Sequence, residues 1–370
     1  MKILIVTLKP LRDENSDGVS KIGCNLLKLS AGSASYRNLS LSPAMHKYQY
    51  LLRLLSYIFI GKGGLQDWLK SQVFNRLNSK INKCHGDYDV IHFMGTSFAL
   101  IWPLLSNEIK NKSLLNLIDN GVIHSKRHSH RKGTPFYILK KIECYKKLQA
   151  YSKLSGATVC FVSKRDARYF QLLTGIKAYT VENGINLPVL PKNNYALNKN
   201  TVSLVFHGDL TYKPNIEALR VINQICNPLV QCFAIGRVAT SIINECQSVH
   251  FLGFVDNLYA ELAKYDIYIC PIQSGAGIKN KIIEAAGIGL PIIATRESVI
   301  GTGLKAGVDY FEAQSVEDFT KNINILVSNS QLGEKTAISA RTYVQNRLTW
   351  GVTVIKYERL YKRIKQQHVF

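Results

Sequence analysis

Eight short, almost continuously apolar runs recur along the chain, at residues 2–7, 89–93, 114–118, 158–162, 202–207, 230–235, 266–270 and 291–295, and helix-length segments separate them. A strand that is apolar on both sides has no face to give to water. Such strands belong in parallel sheets covered on both faces, and each parallel connection needs a crossover, usually a helix. The pattern predicts an α/β chain of doubly wound sheets. Sheets of that kind take ligands outside the carboxyl ends of their strands.

At 370 residues the chain is long enough for two such domains, each with its own core. Residues 186–200, Asn-Leu-Pro-Val-Leu-Pro-Lys-Asn-Asn-Tyr-Ala-Leu-Asn-Lys-Asn, lack periodicity and read as a linker. The strand–helix alternation restarts at Val202. We therefore expect domains over 1–188 and 200–349, with 350–370 as a closing amphipathic, basic helix.

The eight cysteines include no Cys-x-x-Cys pair, and several stand inside apolar runs, as in Thr-Val-Cys160-Phe-Val. They read as reduced thiols of a cytoplasmic protein, not as a disulfide framework or a zinc site. The apolar part of the N-terminus is too short for a signal peptide and reads as a first strand. No run of 18 uncharged apolar residues is present, so no membrane span is expected. The net charge is +22, unevenly spread: residues 1–200 hold 30 Lys/Arg against 11 Asp/Glu (+19), and the remainder 17 against 14 (+3). A one-sided field favours an anionic partner such as a membrane surface or a lipid phosphate. Nucleic acid is not expected, because no helix-turn-helix, zinc or RNA-platform signature accompanies the charge. Two apolar–basic segments, 44–60 and 135–153, suit either a membrane interface or core helices with solvated lysines.

The richest stretch is 275–295, Gly-Ala-Gly-Ile-Lys-Asn-Lys-Ile-Ile-Glu-Ala-Ala-Gly-Ile-Gly-Leu-Pro-Ile-Ile-Ala-Thr. A glycine-rich turn opens a helix with two lysines and a glutamate. Free N–H groups at a helix start, with the helix dipole, attract phosphate. A glutamate one to two turns further in suits sugar hydroxyls. The stretch predicts a grip on both halves of a nucleotide diphosphate, through Gly275, Gly277, Ile278, Lys279, Lys281 and Glu284.

Together with Phe206-His-Gly208-Asp209-Leu-Thr-Tyr-Lys213-Pro-Asn215, Gly253-Phe-Val-Asp-Asn257 and the run from Asp266 to Pro271, this stretch resembles the donor half of glycosyltransferase family 4 (group 1), and the chain resembles GT-B glycosyltransferases. Weaker likenesses are Val162-Ser-Lys-Arg-Asp166 and Glu182-Asn-Gly-Ile185. The resemblance implies two Rossmann-like domains facing a cleft, the last helix packing back on the first domain. It implies retaining transfer from a nucleotide diphosphate sugar to a saccharide or lipid-linked saccharide, with no cofactor and no metal required. By position, Glu284 would accept the ribose hydroxyls, Gly277, Ile278 and Lys279 would flank the diphosphate, and Gly208 would let the backbone approach the nucleotide. Three positions depart from the family. Ala276 stands where a glutamate is common. Asp209 stands where an arginine often follows the turn glycine, which shifts charge neutralisation to Lys213, Lys279 or Lys281. Asp119 stands where histidine is frequent.

Asp119, after the 114–118 strand, is a candidate to orient the acceptor or take its proton, with His92 as a rival. Gly18 and Lys21, after the first strand, are candidates to touch phosphate or acceptor. Three histidines at 124, 128 and 130 lie in a basic loop without a carboxylate, which suits an anionic acceptor or solvent better than a metal. Asp13–Gly18 opens like a calcium loop but has Cys24 at the twelfth position and a strand before it, so it is rejected. Asp87-Tyr-Asp89 imitates a metal motif but precedes its strand, at the end of the sheet away from ligands. The setting expected is a cytoplasmic enzyme peripheral to the inner membrane face, in cell-surface polysaccharide synthesis. Two other readings remain: a nucleotide-sugar epimerase or phosphorylase, and a non-catalytic binding module.

Overall fold

The computed structural model describes residues 1–7, 10–11, 18–29, 34–40, 79–123, 135–188, 201–275 and 277–367. Residues 13–17 of the calcium-like loop, the 44–60 segment, the histidine loop and Ala276 fall outside these residues. The chain divides into two compact units, Met1–Val181 with Val354–Phe370, and Glu182–Thr353.

The first unit is built on a parallel sheet of β1 (Lys2–Thr7), β2 (Ser35–Ser40), β3 (Val90–Met94), β4 (Ser113–Asn116), β5 (Thr158–Phe161) and β6 (Ala178–Thr180), in the order β2-β1-β3-β4-β5-β6. Central strands carry the core as their composition requires: Ile3, Leu4, Ile5 and Val6 of β1 are all buried. Strand β4 ends at Asn116, two residues before the expected end. Ile118 adopts a left-handed backbone (φ 60°), which leaves the strand. Its amide donates to Asn116 Oδ1 at 3.0 Å, and its carbonyl accepts from the Val162 amide at 3.1 Å. A β-branched residue there costs on the order of 1–3 kcal/mol, and such strain concentrates at functional turns.

The closing helix, Trp350–Gln366, belongs to the first unit from Val354 onward. It buries Tyr357 and Tyr361 completely. Asn116 Nδ2 donates to the Tyr357 hydroxyl at 2.7 Å, and His92 Nδ1 meets the Tyr361 hydroxyl at 2.8 Å. These bonds correct the reading of His92 as a catalytic candidate. The side chain is sealed between two tyrosines, and burial pushes its imidazole down to about 3, so it stays neutral. Asp89 accepts from the Lys2 amide at 2.7 Å and pairs with Lys365 at 3.0 Å, at the amino end of β1 and β3.

The second unit carries β7 (Val202–His207), β8 (Val230–Ile235), β9 (Val249–Gly253), β10 (Ile267–Cys270), β11 (Ile292–Ala294) and β12 (Phe311–Glu312), all parallel, in the order β12-β11-β10-β7-β8-β9. Counted within the unit, this is third-second-first-fourth-fifth-sixth, with the reversal of direction between β7 and β10. Ligands of doubly wound sheets sit at that reversal, outside the carboxyl ends. The unit starts earlier than the 186–200 linker suggests, because residues 182–188 pack within it. Ile185 donates to the Leu348 carbonyl at 2.9 Å, and Thr353 Oγ1 donates to the Glu182 carbonyl at 2.9 Å. Among the described residues no helix is long and apolar enough to cross a membrane.

Candidate active site

Strands β7 and β8 both leave the sheet through a glycine with positive φ, Gly208 (138°) and Gly236 (135°). Gly236 has no room for a larger residue, and at Gly208 the positive φ strains any other. A Cβ on Gly236 would fall 1.8 Å from the Gly208 carbonyl oxygen, and a Cβ on Gly208 would fall 2.8 Å from Lys281 Nζ. The two turns pack backbone against backbone at the carboxyl end of β7.

Across the switch point, β10 exits through residues 271–275. Two hydroxyls pin this exit: Ser298 Oγ donates to the Cys270 carbonyl at 2.7 Å, and Thr295 Oγ1 donates to the Ile272 carbonyl. Gly275 (φ 136°) and Gly277 (φ 68°) turn the chain into the Asn280–Ile288 helix. No side chain caps that helix, and its first turn holds no acid. Lys279 at the N-cap and Lys281 in the first turn oppose the helix dipole, so the end is suited to an added anion.

The helix then delivers the candidate residues. Lys281 Nζ donates to Asn215 Oδ1 at 2.8 Å and lies 4.1 Å from the centre of the Phe206 ring. Asn215 Nδ2 in turn donates to the Asp209 carbonyl at 2.7 Å, which braces the Gly208 turn. Burial pushes the Lys281 ammonium down to about 8, with Lys279 adding to it and Glu284 and Asp209 opposing. Glu284, buried one turn on, accepts from His207 Nε2 at 2.9 Å. Ile278 packs on the core. Gly208, Lys281 and Glu284 are thus assembled around the end of β7.

Two lysines sit differently from expectation. Lys279 Nζ is 3.5 Å from Glu297 Oε1, with both side chains largely buried, so its charge is already balanced within the unit. Lys213 opens the Lys213–Ile225 helix, 76% exposed, 3.7 Å from Glu217. At the Gly208 turn, Arg237 Nη2 reaches Asp209 Oδ2 at 3.0 Å. Burial opposes ionisation of Asp209, but the Thr211 hydroxyl and amide and the Arg237 guanidinium outweigh it and hold the carboxyl below its usual range. An arginine therefore does stand at this turn, delivered from β8.

In the first unit, Asp119 follows the strained Ile118 and is half-buried. Its neighbour Asn120 is fully buried and accepts from the Val122 amide at 3.1 Å. Gly18 is the first residue of the Gly18–Lys28 helix, and Lys21 lies within it.

Sequence reasoning missed His207, Tyr268, Asn215, Arg237 and Glu297. His207 and Asn215 stand inside the 206–215 motif, and Arg237 follows Gly236 as Asp209 follows Gly208, so those three carried a local signal. Tyr268 stands inside the 266–271 run and shared that signal, whereas Glu297 carried none.

Residues 201–329 match the family model described as glycosyl transferases group 1. No curated protein matches the sequence. In three dimensions the chain is similar to HepE of Anabaena in complex with UDP and glucose (15% identity, TM-score 0.69, covering 98% of this chain and 99% of that one). It is similar to sucrose-phosphate synthase of Thermosynechococcus elongatus (15%, 0.69, 98% and 98%) and to WaaG, a glycosyltransferase involved in lipopolysaccharide biosynthesis (12%, 0.63, 98% and 99%). These likenesses show the fold. The chain thus has the GT-B fold, and 129 residues of its second unit (201–329) match the group 1 glycosyl transferase model.

Proposed function

We propose that the chain transfers a sugar, with retention of anomeric configuration, from a nucleotide diphosphate sugar to a saccharide or lipid-linked saccharide. The observation that carries this reading is the convergence of Gly208, Lys281 and Glu284 on the switch point of the second unit. There a helix start, an ammonium and a carboxylate match a pyrophosphate and a ribose. The HepE complexes with UDP and with UDP-glucose agree with such a donor. Catalysis would rest on positioning and on neutralising the departing diphosphate. The second unit would take the donor and the first the acceptor, with Asp119 orienting it. Lys281 would balance the leaving charge. No metal or organic cofactor enters this scheme.

Thermal-shift titration with UDP, GDP, ADP and CDP, followed by sugar transfer from the matching nucleotide sugars, tests the reading. At least one diphosphate should raise the Tm, and its sugar should be transferred to a saccharide or lipid-linked acceptor. Stabilisation without any turnover would favour a binding module, and turnover of the nucleotide sugar without acceptor would favour an epimerase.

The charge of +19 on residues 1–200 supports a peripheral position on an anionic membrane at the cytoplasmic face, and a role in cell-surface polysaccharide synthesis. Co-sedimentation with liposomes containing anionic lipid should weaken steeply between low and physiological salt. Pelleting indifferent to lipid charge and salt would remove the membrane proposal.

A further inference from the structure

Behind Glu284 lies a chain of buried polar groups that the reaction as described does not use. Tyr268 of β10 places its hydroxyl 3.1 Å from His207 Nδ1, and His207 Nε2 lies 2.9 Å from Glu284 Oε2. The three residues are 0%, 4% and 7% exposed. The rings of Tyr268 and His207 meet edge-on, with centroids 5.5 Å apart. Strands β7 and β10, which carry the first two members, are the pair that flanks the switch point.

With Glu284 ionised and the His207 ring neutral, the direction of each bond follows. An ionised carboxylate only accepts, so the imidazole nitrogen facing Glu284 carries a proton. In the neutral ring Nδ1 is then an acceptor, and the Tyr268 hydroxyl donates to it. Tyr268 therefore selects the tautomer in which His207 can hold Glu284. Burial keeps the Tyr268 hydroxyl protonated, raising its ionisation well above the ordinary range. Holding a carboxylate on two χ-flexible methylenes in one rotamer in advance removes an ordering cost from ligand binding. An apolar residue at 207 would fill the same space for the core, but it would not hold an oxygen.

We propose that His207 is a positioning residue for nucleotide recognition: it anchors Oε2 of Glu284 and so fixes the carboxylate toward the ribose diol, with Tyr268 locking its tautomer. The inference rests on the donor reading above, in which Glu284 meets the ribose.

The test compares binding of two probes, a ribonucleoside diphosphate (the one among UDP, GDP, ADP and CDP that stabilises the protein most) and its 2′-deoxy counterpart. Wild-type protein should prefer the ribonucleotide by about tenfold or more, the value of one hydrogen bond to a charged group. His207→Phe should cut that preference to about threefold or less by weakening ribonucleotide binding, with a smaller loss for the deoxynucleotide, which keeps only the 3′-hydroxyl. His207→Gln, which keeps an N–H donor, should retain most of the preference. Tyr268→Phe, a loss of one hydroxyl, should lower it several-fold.

A purely structural role would weaken both probes equally and leave their ratio intact. A wild-type ratio in His207→Phe overturns the proposal. If that variant does not fold, a wild-type ratio in Tyr268→Phe does so. A wild-type protein that binds neither probe, or both equally, instead overturns the donor reading itself.

Discussion

Replacing Glu284 by alanine is expected to lower kcat/KM for sugar transfer by about 10²–10³-fold, with the larger part in donor binding. Each hydrogen bond from a ribose hydroxyl to a buried, ionised carboxylate is worth about 1.5–3 kcal/mol, and every 1.4 kcal/mol is tenfold. Glu284 is suited to that task because it is buried, held by His207 and one turn inside a helix whose start faces the switch point. Some stability goes with it. The His207 N–H would lose its acceptor in a dry environment, at about 1–3 kcal/mol, so the assay belongs well below the variant's Tm. Glu284→Gln separates charge from shape. Its amide oxygen still accepts from His207 while its nitrogen replaces an acceptor by a donor, and a loss of about tenfold is expected. Unchanged kcat/KM in both variants, with folding intact, removes Glu284 from the donor site.

Much of the architecture was legible because burial on both faces leaves a plain mark in sequence. Strands β1, β7 and β8 run over the residues that apolarity alone marks. Strands β2, β6 and β12 lie at sheet edges, where half-buried, partly polar residues such as Ser35–Ser40 carry no such mark. Strand β9, also an edge, alternates buried and exposed positions. The shortened end of β4 was hidden for a different reason. Ile118 is a strand former by type, and its φ of 60° is imposed by its partners.

The site was legible where its parts are contiguous. Gly275 to Glu284 is one turn and one helix, so spacing alone places the glycines, Lys281 and Glu284 together. Partners drawn from other strands were not legible. Glu297 sits 18 positions after Lys279 and takes its charge; Arg237 arrives from β8 and takes that of Asp209. Sequence assigned diphosphate neutralisation to three lysines alike. The geometry separates them: Lys279 is balanced inside the unit, Lys213 projects into solvent, and Lys281 is half-buried over Phe206 beside the Gly208 turn, where the protein backbone would approach the ligand.

That separation leads to a pH experiment on Lys281. Burial pushes its ammonium from the ordinary 10.5 to about 8. An anionic diphosphate beside it favours the charged form, so binding should take up a proton around pH 8–9. Affinity for the nucleoside diphosphate should then fall by up to about tenfold per pH unit above 8. Stability of the ligand-free protein should move the opposite way. With a folded value near 8 and an unfolded value near 10.5, the unfolded chain binds more protons between those limits. The Lys281 contribution therefore grows as pH rises from 8 to 10.5, and it is lost as pH falls through 8. Lys281→Met keeps the stem over Phe206 and removes the charge. It should weaken diphosphate binding at pH 7 by about tenfold or more and flatten both pH dependences. Calorimetric titration at pH 7, 8 and 9 in buffers of different ionisation enthalpy reads the proton uptake directly, and denaturant melts over pH 7–10 read the stability arm. Proton uptake in Lys281→Met equal to that of wild type would assign the titration to another group and leave Lys281 without a role at the phosphate.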